Sequence, residues 1–192
     1  MKIAFTEQQK NFPRFLEEFR KLPVLSYDRK MLREDNSTVQ ICKGCDLQTL
    51  DLSFFFDYTI FPPQVMNFLT EWKYNGREIM TGDTIVQEVY FPPFRAFSQK
   101  LIFGVRINEI IREEGRIGFS YETLRGHVER GISTFTLEQN EENIIFRIHT
   151  FSAPGNYLLR KLGRILSLPY QAYCTQKALE NVKNHLKPHV SG

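Results

Sequence analysis

The run Gly131-Ile132-Ser133-Thr134-Phe135-Thr136-Leu137-Glu138-Gln139 is followed, after Asn140-Glu141-Glu142, by Asn143-Ile144-Ile145-Phe146-Arg147-Ile148-His149-Thr150-Phe151-Ser152. In the second run Ile144, Phe146 and Ile148 alternate with Ile145, Arg147 and His149. A period of two on both sides of a short polar turn predicts a β-hairpin. One apolar and one mixed face is the pattern of an antiparallel sheet covered on one side.

Upstream, three more alternating stretches are punctuated by turn residues. They are Thr84–Phe91, closed by Pro92-Pro93, Leu101–Arg112, closed by Glu113-Glu114-Gly115, and Arg116–Leu124, which meets Arg125-Gly126. Downstream, Ala153-Pro154-Gly155 ends the sheet. Leu158, Leu162, Ile165, Leu166, Tyr170, Tyr173, Cys174, Ala178, Leu179 and Val182 then form an apolar stripe at helical spacing. The pattern predicts one long helix over 156–187, kinked or interrupted at Gly163 and Pro169. With no alternation of strand and helix, the class is α+β, a curved antiparallel sheet around a long C-terminal helix.

The first third is less regular. Phe12, Phe15, Leu16 and Phe19 predict a short helix beginning near Pro13 and stopped by Pro23. Val39–Ile60 reads as strands, with Phe54, Phe56, Tyr58 and Ile60 on one parity. Pro62-Pro63 then opens a helix carrying Val65, Met66, Leu69 and Trp72. The expected organisation is one domain: an N-terminal helix and irregular extension over 1–38, then the sheet-and-helix body over 39–192.

Composition narrows the function classes. Lysines and arginines (25) exceed aspartates and glutamates (22) by 25 − 22 = 3, too mild a balance for a nucleic-acid partner, and the basic residues are dispersed. No stretch reaches the roughly 18–20 apolar residues of a membrane span. The start of the chain turns polar too soon for a secretory signal. Three cysteines argue against a disulfide framework and for a cytoplasmic protein. Cys42 and Cys45 form a C-x-x-C pair that could be redox-active, half of a metal site completed by His185 and His189, or incidental. Phosphate loops, dinucleotide fingerprints and nucleophile elbows are absent. No cofactor and no metal are expected. The 17 phenylalanines suit a ring-lined core or pocket wall.

The chemistry-bearing stretch is Gly118-Phe119-Ser120-Tyr121-Glu122-Thr123-Leu124-Arg125-Gly126-His127-Val128-Glu129-Arg130-Gly131. It resembles the G-F-x-Y-x-T-L-x-G-H-x-E-x-G signature of the bacterial and plant family called domain of unknown function nineteen-ninety. Met80-Thr81-Gly82-Asp83-Thr84, Phe151-Ser152-Ala153-Pro154, Trp72 and Gln171 are similar to further family features over about residues 50–187. Two positions depart: Ile132 stands where the family has an acidic residue, and Ala153 where it has arginine. The family is grouped with START-like, polyketide-cyclase-like helix-grip proteins. The resemblance therefore implies a helix-grip fold with a cavity for a hydrophobic small molecule between the sheet and the last helix.

Within that stretch Tyr121, Arg125, His127 and Glu129 are the candidate polar anchors. A histidine beside a carboxylate titrates near neutrality and a tyrosine can donate a proton, so His127, Tyr121 and Glu129 are also candidate catalytic groups of a cyclase or hydratase. The same residues can equally satisfy the backbone of a turn. His149 on its strand and Tyr157, Tyr170 and Tyr173 on the final helix complete the expected pocket lining, against the plainer possibility of a filled core and an interaction module.

Overall fold

The computed structural model describes residues 1–91, 98–155 and 157–186, with the side chains of 157–169 set aside. Among the described residues the strands form one curved eight-stranded antiparallel sheet. They are β1 (Lys2–Ala4), β2 (Arg33–Lys43), β3 (Met66–Thr70), β4 (Thr84–Phe91), β5 (Gln99–Glu113), β6 (Arg116–Thr123), β7 (Glu129–Asn140) and β8 (Asn143–Pro154). The order is β2-β8-β7-β6-β5-β4-β3, and β1 pairs with β5. The helices are α1 (Phe12–Phe19), α2 (Ser53–Phe56), α3 (Glu71–Tyr74) and α4 (Tyr157–His185).

The five strands from β4 to β8 fall where the period of two puts them. In the hairpin, Phe135 faces Ile148 and Leu137 faces Phe146. All four are buried in the inner core, with Phe119, Ile107, Val105 and Phe103. Ala178, Leu179 and Val182 of α4, with Leu186 just beyond it, close that core over β2 and β8. α4 runs uninterrupted from Tyr157 to His185, so Gly163 and Pro169 do not end it.

Three elements differ from the sequence expectation, the first being β2, which begins at Arg33 inside the stretch expected to be irregular, because residues 33–38 pair with 147–152 of β8. Phe54–Phe56 is not strand but the short helix α2, because the amides of Phe55 and Phe56 both turn back to the Leu52 carbonyl. The helix expected after Pro62-Pro63 is a single turn, with Val65 N–H donating to Pro62 O at 2.9 Å, and the chain then extends as β3 along β4. Trp72 ends up in α3, its indole N–H donating to Phe56 O at 3.0 Å.

The outer face is also covered. Phe12, Phe15, Leu16 and Phe19 of α1 pack on Val86, Ile102 and Leu124, so residues early in the chain build a second core on the back of β4 and β5. The glycine at 104 makes this approach feasible: a Cβ there would lie 3.0 Å from both Phe19 and Leu124 side-chain atoms. The following segment crosses the back of the sheet, bridging Val24 to Leu124.

Candidate functional site

Alternation carries a set of polar side chains onto the inner face, among the apolar ones. On β7, residues 129, 131, 133, 135 and 137 share the face of Phe135 and Leu137. Ser133 lies opposite Tyr121 on β6 and Thr150 on β8. On β4, Gln87 has the parity of Ile85 and Val89.

These groups form a polar ladder across the inner face. Thr150 Oγ1 donates to Ser133 Oγ at 3.0 Å, Gln87 Nε2 donates to the Tyr58 hydroxyl at 2.6 Å, and the Tyr121 ring, opposite Ser133, stands 6.3 Å from the Tyr58 ring. Tyr58 is fully buried and adopts φ 65°, a conformation costly for a bulky residue. The packing that overrides this cost is aromatic, against Phe61, Phe68, Phe119 and Tyr121 at centroid distances of 5.2–6.3 Å. Burial raises the pKa of both Tyr58 and Tyr121, so the ladder stays protonated.

Glu129 is different. It has the inner-face parity of Ser133 and Phe135 and is half-buried. No described residue donates a hydrogen bond or a positive charge to it, and burial alone lifts its pKa to about 7. Cys174 is pushed up to about 12, chiefly by burial. Tyr170, one turn earlier, is also raised; its buried hydroxyl finds no hydrogen-bond partner among the described residues, and its ring meets Phe91 edge-on at 5.5 Å. Tyr173 packs partly buried against the inner core.

His127 occupies the turn between β6 and β7. Its Nδ1 lies 3.0 Å from both the amide nitrogen and the carbonyl oxygen of Glu129, and the ring stands edge-on to Phe103 at 4.1 Å. Burial lowers its pKa to about 3, so the imidazole is neutral at physiological pH. Gly126 has φ 89°, and a Cβ there would come within 2.5 Å of Met1 N, so the turn also seats the first residue.

Tyr121 and Glu129 share the inner face, His127 is held to the Glu129 backbone in the turn, and Tyr170, Tyr173 and Cys174 lie on α4. Arg125 is exposed, its amide donating to Pro23 O at 2.9 Å. His149 lies on the outer face, Nε2 2.7 Å from Glu34 Oε1 and its ring beside Phe151. Ile132 and Ala153 share that outer face, so the family departures do not alter the ladder. The Tyr157 side chain lies outside the described residues. Cys42 and Cys45 are joined to one another at the end of β2. Tyr58, Gln87, Ser133 and Thr150 were not among the sequence candidates. The three strand residues carried a signal nonetheless, being polar at positions of apolar parity.

Two clefts bordered by described residues lie away from this cluster. One, of about 490 Å³, lies between β3 and the end of α4, lined by Phe54, Phe61, Pro62, Phe68, Asn181 and His185 among others. The other, of about 380 Å³, lies beside the β5–β6 turn against Leu52 and Phe56. No described helix is long and apolar enough to cross a membrane.

Fold and site together define an α+β protein with a polar ladder set into the concave side of an antiparallel sheet. Residues 56–181 match the family described as Domain of unknown function (DUF1990), and the chain belongs to that family. Among solved structures it is similar to a hypothetical protein from Helicobacter pylori, with a TM-score of 0.59 at 9% identity over 87% of this chain and 98% of that one. It is also similar to an uncharacterised protein from Rhizobium leguminosarum, with a TM-score of 0.42 at 12% identity over 80% and 95% of the respective chains. No curated protein matches.

Proposed function

We propose that this chain is a helix-grip, START-like protein that binds a hydrophobic small molecule between its sheet and α4. The observation that carries the reading is the state of the inner-face polar groups. Tyr121, Glu129, Ser133 and Thr150 are only half-buried, whereas Phe119, Phe135 and Phe146 on the same face are sealed. Layers that interdigitated fully would leave no such accessible polar surface, and pockets for small ligands characteristically combine apolar walls with a few convergent polar groups. Tyr121, Ser133 and Glu129 would orient the guest, Tyr170 and Tyr173 would wall it, and His127 would hold the turn that presents Glu129. The setting in this reading is cytoplasmic.

The test is a thermal-shift titration of the whole chain with long-chain fatty acids, alcohols, amines, sterols and flat polycyclic aromatics. A ligand of the native state at about 100 times its Kd stabilises by about 2.7 kcal/mol, which is several degrees in Tm. Saturable stabilisation is expected with at least one class. No shift with any of them would remove the interior site and turn attention to the outer clefts.

A further inference from the structure

Away from the interior, we infer that the cleft of about 490 Å³ between β3 and the end of α4 is a second binding site, and that it takes an uncharged, flat aromatic molecule carrying hydroxyl donors. Its polar side chains have spent their hydrogens inside the protein. Asn67 Nδ2 donates to the buried Glu88 carboxylate at 3.1 Å and to the Tyr90 hydroxyl at 2.5 Å. Asn181 Nδ2 donates to the Thr59 and Ile60 carbonyls at 2.8 and 3.1 Å. Thr59 Oγ1 donates to Phe54 O, and His185 Nδ1 lies 2.9 Å from Asn181 O. Carboxylates and carbonyls only accept, so neither amide can be turned round, the threonine proton is committed, and a neutral His185 carries its proton on Nδ1. Two amide oxygens, a hydroxyl lone pair and His185 Nε2 are left over. No described residue donates to any of them.

The acceptors come from two sides of the cleft, Asn67 from β3 and Asn181 and His185 from α4, and the surface around them is made of rings. Phe12, Phe61 and Phe68 border it, and Phe54 stacks on His185 with centroids 4.3 Å apart and planes 12° from parallel, which sets a flat aromatic edge beside Nε2. No lysine, arginine, aspartate or glutamate is among the described residues that border it. A guest with a full charge would lose water there and find no counter-charge. An apolar guest without donors would cover the amide oxygens and leave them unmatched. Only Gln9, exposed at the rim, keeps an uncommitted amide among the described polar groups. A flat ring bearing hydroxyls supplies hydrogens to the acceptors and packs offset or edge-on against the phenylalanines.

The experiment titrates the whole chain calorimetrically with four compounds on one ring system: 2,3-dihydroxynaphthalene, 2,3-dimethoxynaphthalene, 2-naphthoate and 2-naphthylmethylammonium. Backbone amide chemical shifts locate the bound guest. The proteins are the wild type, His185→Ala, which removes an exposed ring and its Nε2, and Glu34→Gln, which alters a carboxylate on the outer sheet face. The diol is expected to bind the wild type about tenfold tighter than the dimethoxy compound, the worth of one or two net hydrogen bonds, with both ions weaker than the diol. Shifts should centre on Thr59, Asn67, Phe68 and Asn181. His185→Ala should weaken the diol severalfold, and Glu34→Gln should leave it unchanged. The dimethoxy compound or either ion matching the diol overturns the inference, and so does a diol affinity that His185→Ala leaves intact. Shifts confined to Ser133, Thr150 and their neighbours would overturn the cleft site and support the interior one. If none of the four binds, the cleft site falls and the interior reading is decided by its own titration. Should His185→Ala not fold, the wild-type order and the shift map decide.

Discussion

Glu129 and His127 are neighbours in the same turn, and burial moves their titrations in opposite directions. Glu129 rises from 4.5 to about 7, so between those values the folded chain keeps a proton that the unfolded chain releases, and stability falls as pH rises through the window. His127 drops from 6.5 to about 3, so the unfolded chain takes up a proton that the folded chain refuses, and stability falls as pH descends from 6.5 towards 3. The two effects offset between about 4.5 and 6.5, leaving an acid limb owned by His127 and a neutral limb owned by Glu129. Glu129→Gln should therefore remove the decline above about pH 6.5 and raise stability at pH 8 by roughly 2 kcal/mol. Urea midpoints across pH 4–8 read this directly, and superimposable profiles for the two proteins would show that Glu129 is solvated after all. The residues of this turn were legible in the sequence as chemistry, but their roles were not. A His–x–Glu spacing suggests a titrating histidine. The fold instead ties the imidazole to the Glu129 backbone and leaves the carboxylate as the group near neutrality, which depends on burial that spacing alone cannot supply.

At the scale of elements, legibility followed the strength of the period. The strands β4–β8 and the helix α4 repeat their pattern over many residues, and the structure places them within a few residues of the expected bounds. Residues 53–74 carry short apolar runs that satisfy strand and helix templates equally. There the outcome was set by tertiary pairing: Met66–Thr70 has Val89–Ile85 to pair with, and Phe54–Phe56 has the Leu52 carbonyl and the Asp51 carboxylate, which accepts from Ser53 N–H at 2.9 Å. The packing of α1 on β5 offers a sharp test at this scale. Gly104→Ala places a methyl 3.0 Å from Leu124 and Phe19 atoms, with Phe19 Cβ at 3.2 Å. The helix must shift outward by a few tenths of an ångström, and overpacking of this kind costs about 1–3 kcal/mol. Thermal unfolding should show the loss, and combining it with Phe19→Ala, which vacates the space, should give less than the sum of the two single effects. Strict additivity would mean that α1 does not rest on Gly104.

For the whole molecule the question is whether the N-terminal segment is an appendage or part of one cooperative unit. The sheet is a single layer with a core on each face, and adjacent residues belong to opposite cores: Ile85 inward and Val86 outward, Phe103 inward and Ile102 outward. α1 is further tied to the sheet through β1 on β5, and Gln8 N–H donates to the buried Glu88 carboxylate at 2.7 Å. Arg20 reaches Glu71 at 3.1 Å, while Arg77 holds Asp83 with both arms, knitting α1, α3 and the start of β4 together. Strands whose two faces are stabilised from both sides should unfold together. Trp72 is the sole tryptophan and lies in the inner core, so its fluorescence reports that core alone. Leu16 is fully buried in the outer one, and Leu16→Ala should cost about 2–5 kcal/mol. Cooperative coupling requires the Trp72 transition to move to lower temperature by the same amount as the far-ultraviolet circular dichroism transition. A Trp72 midpoint that stays in place while helical signal is lost earlier would mean that the outer layer melts separately, and the sheet with α4 would then be a self-sufficient domain carrying the ladder without help from the first residues of the chain.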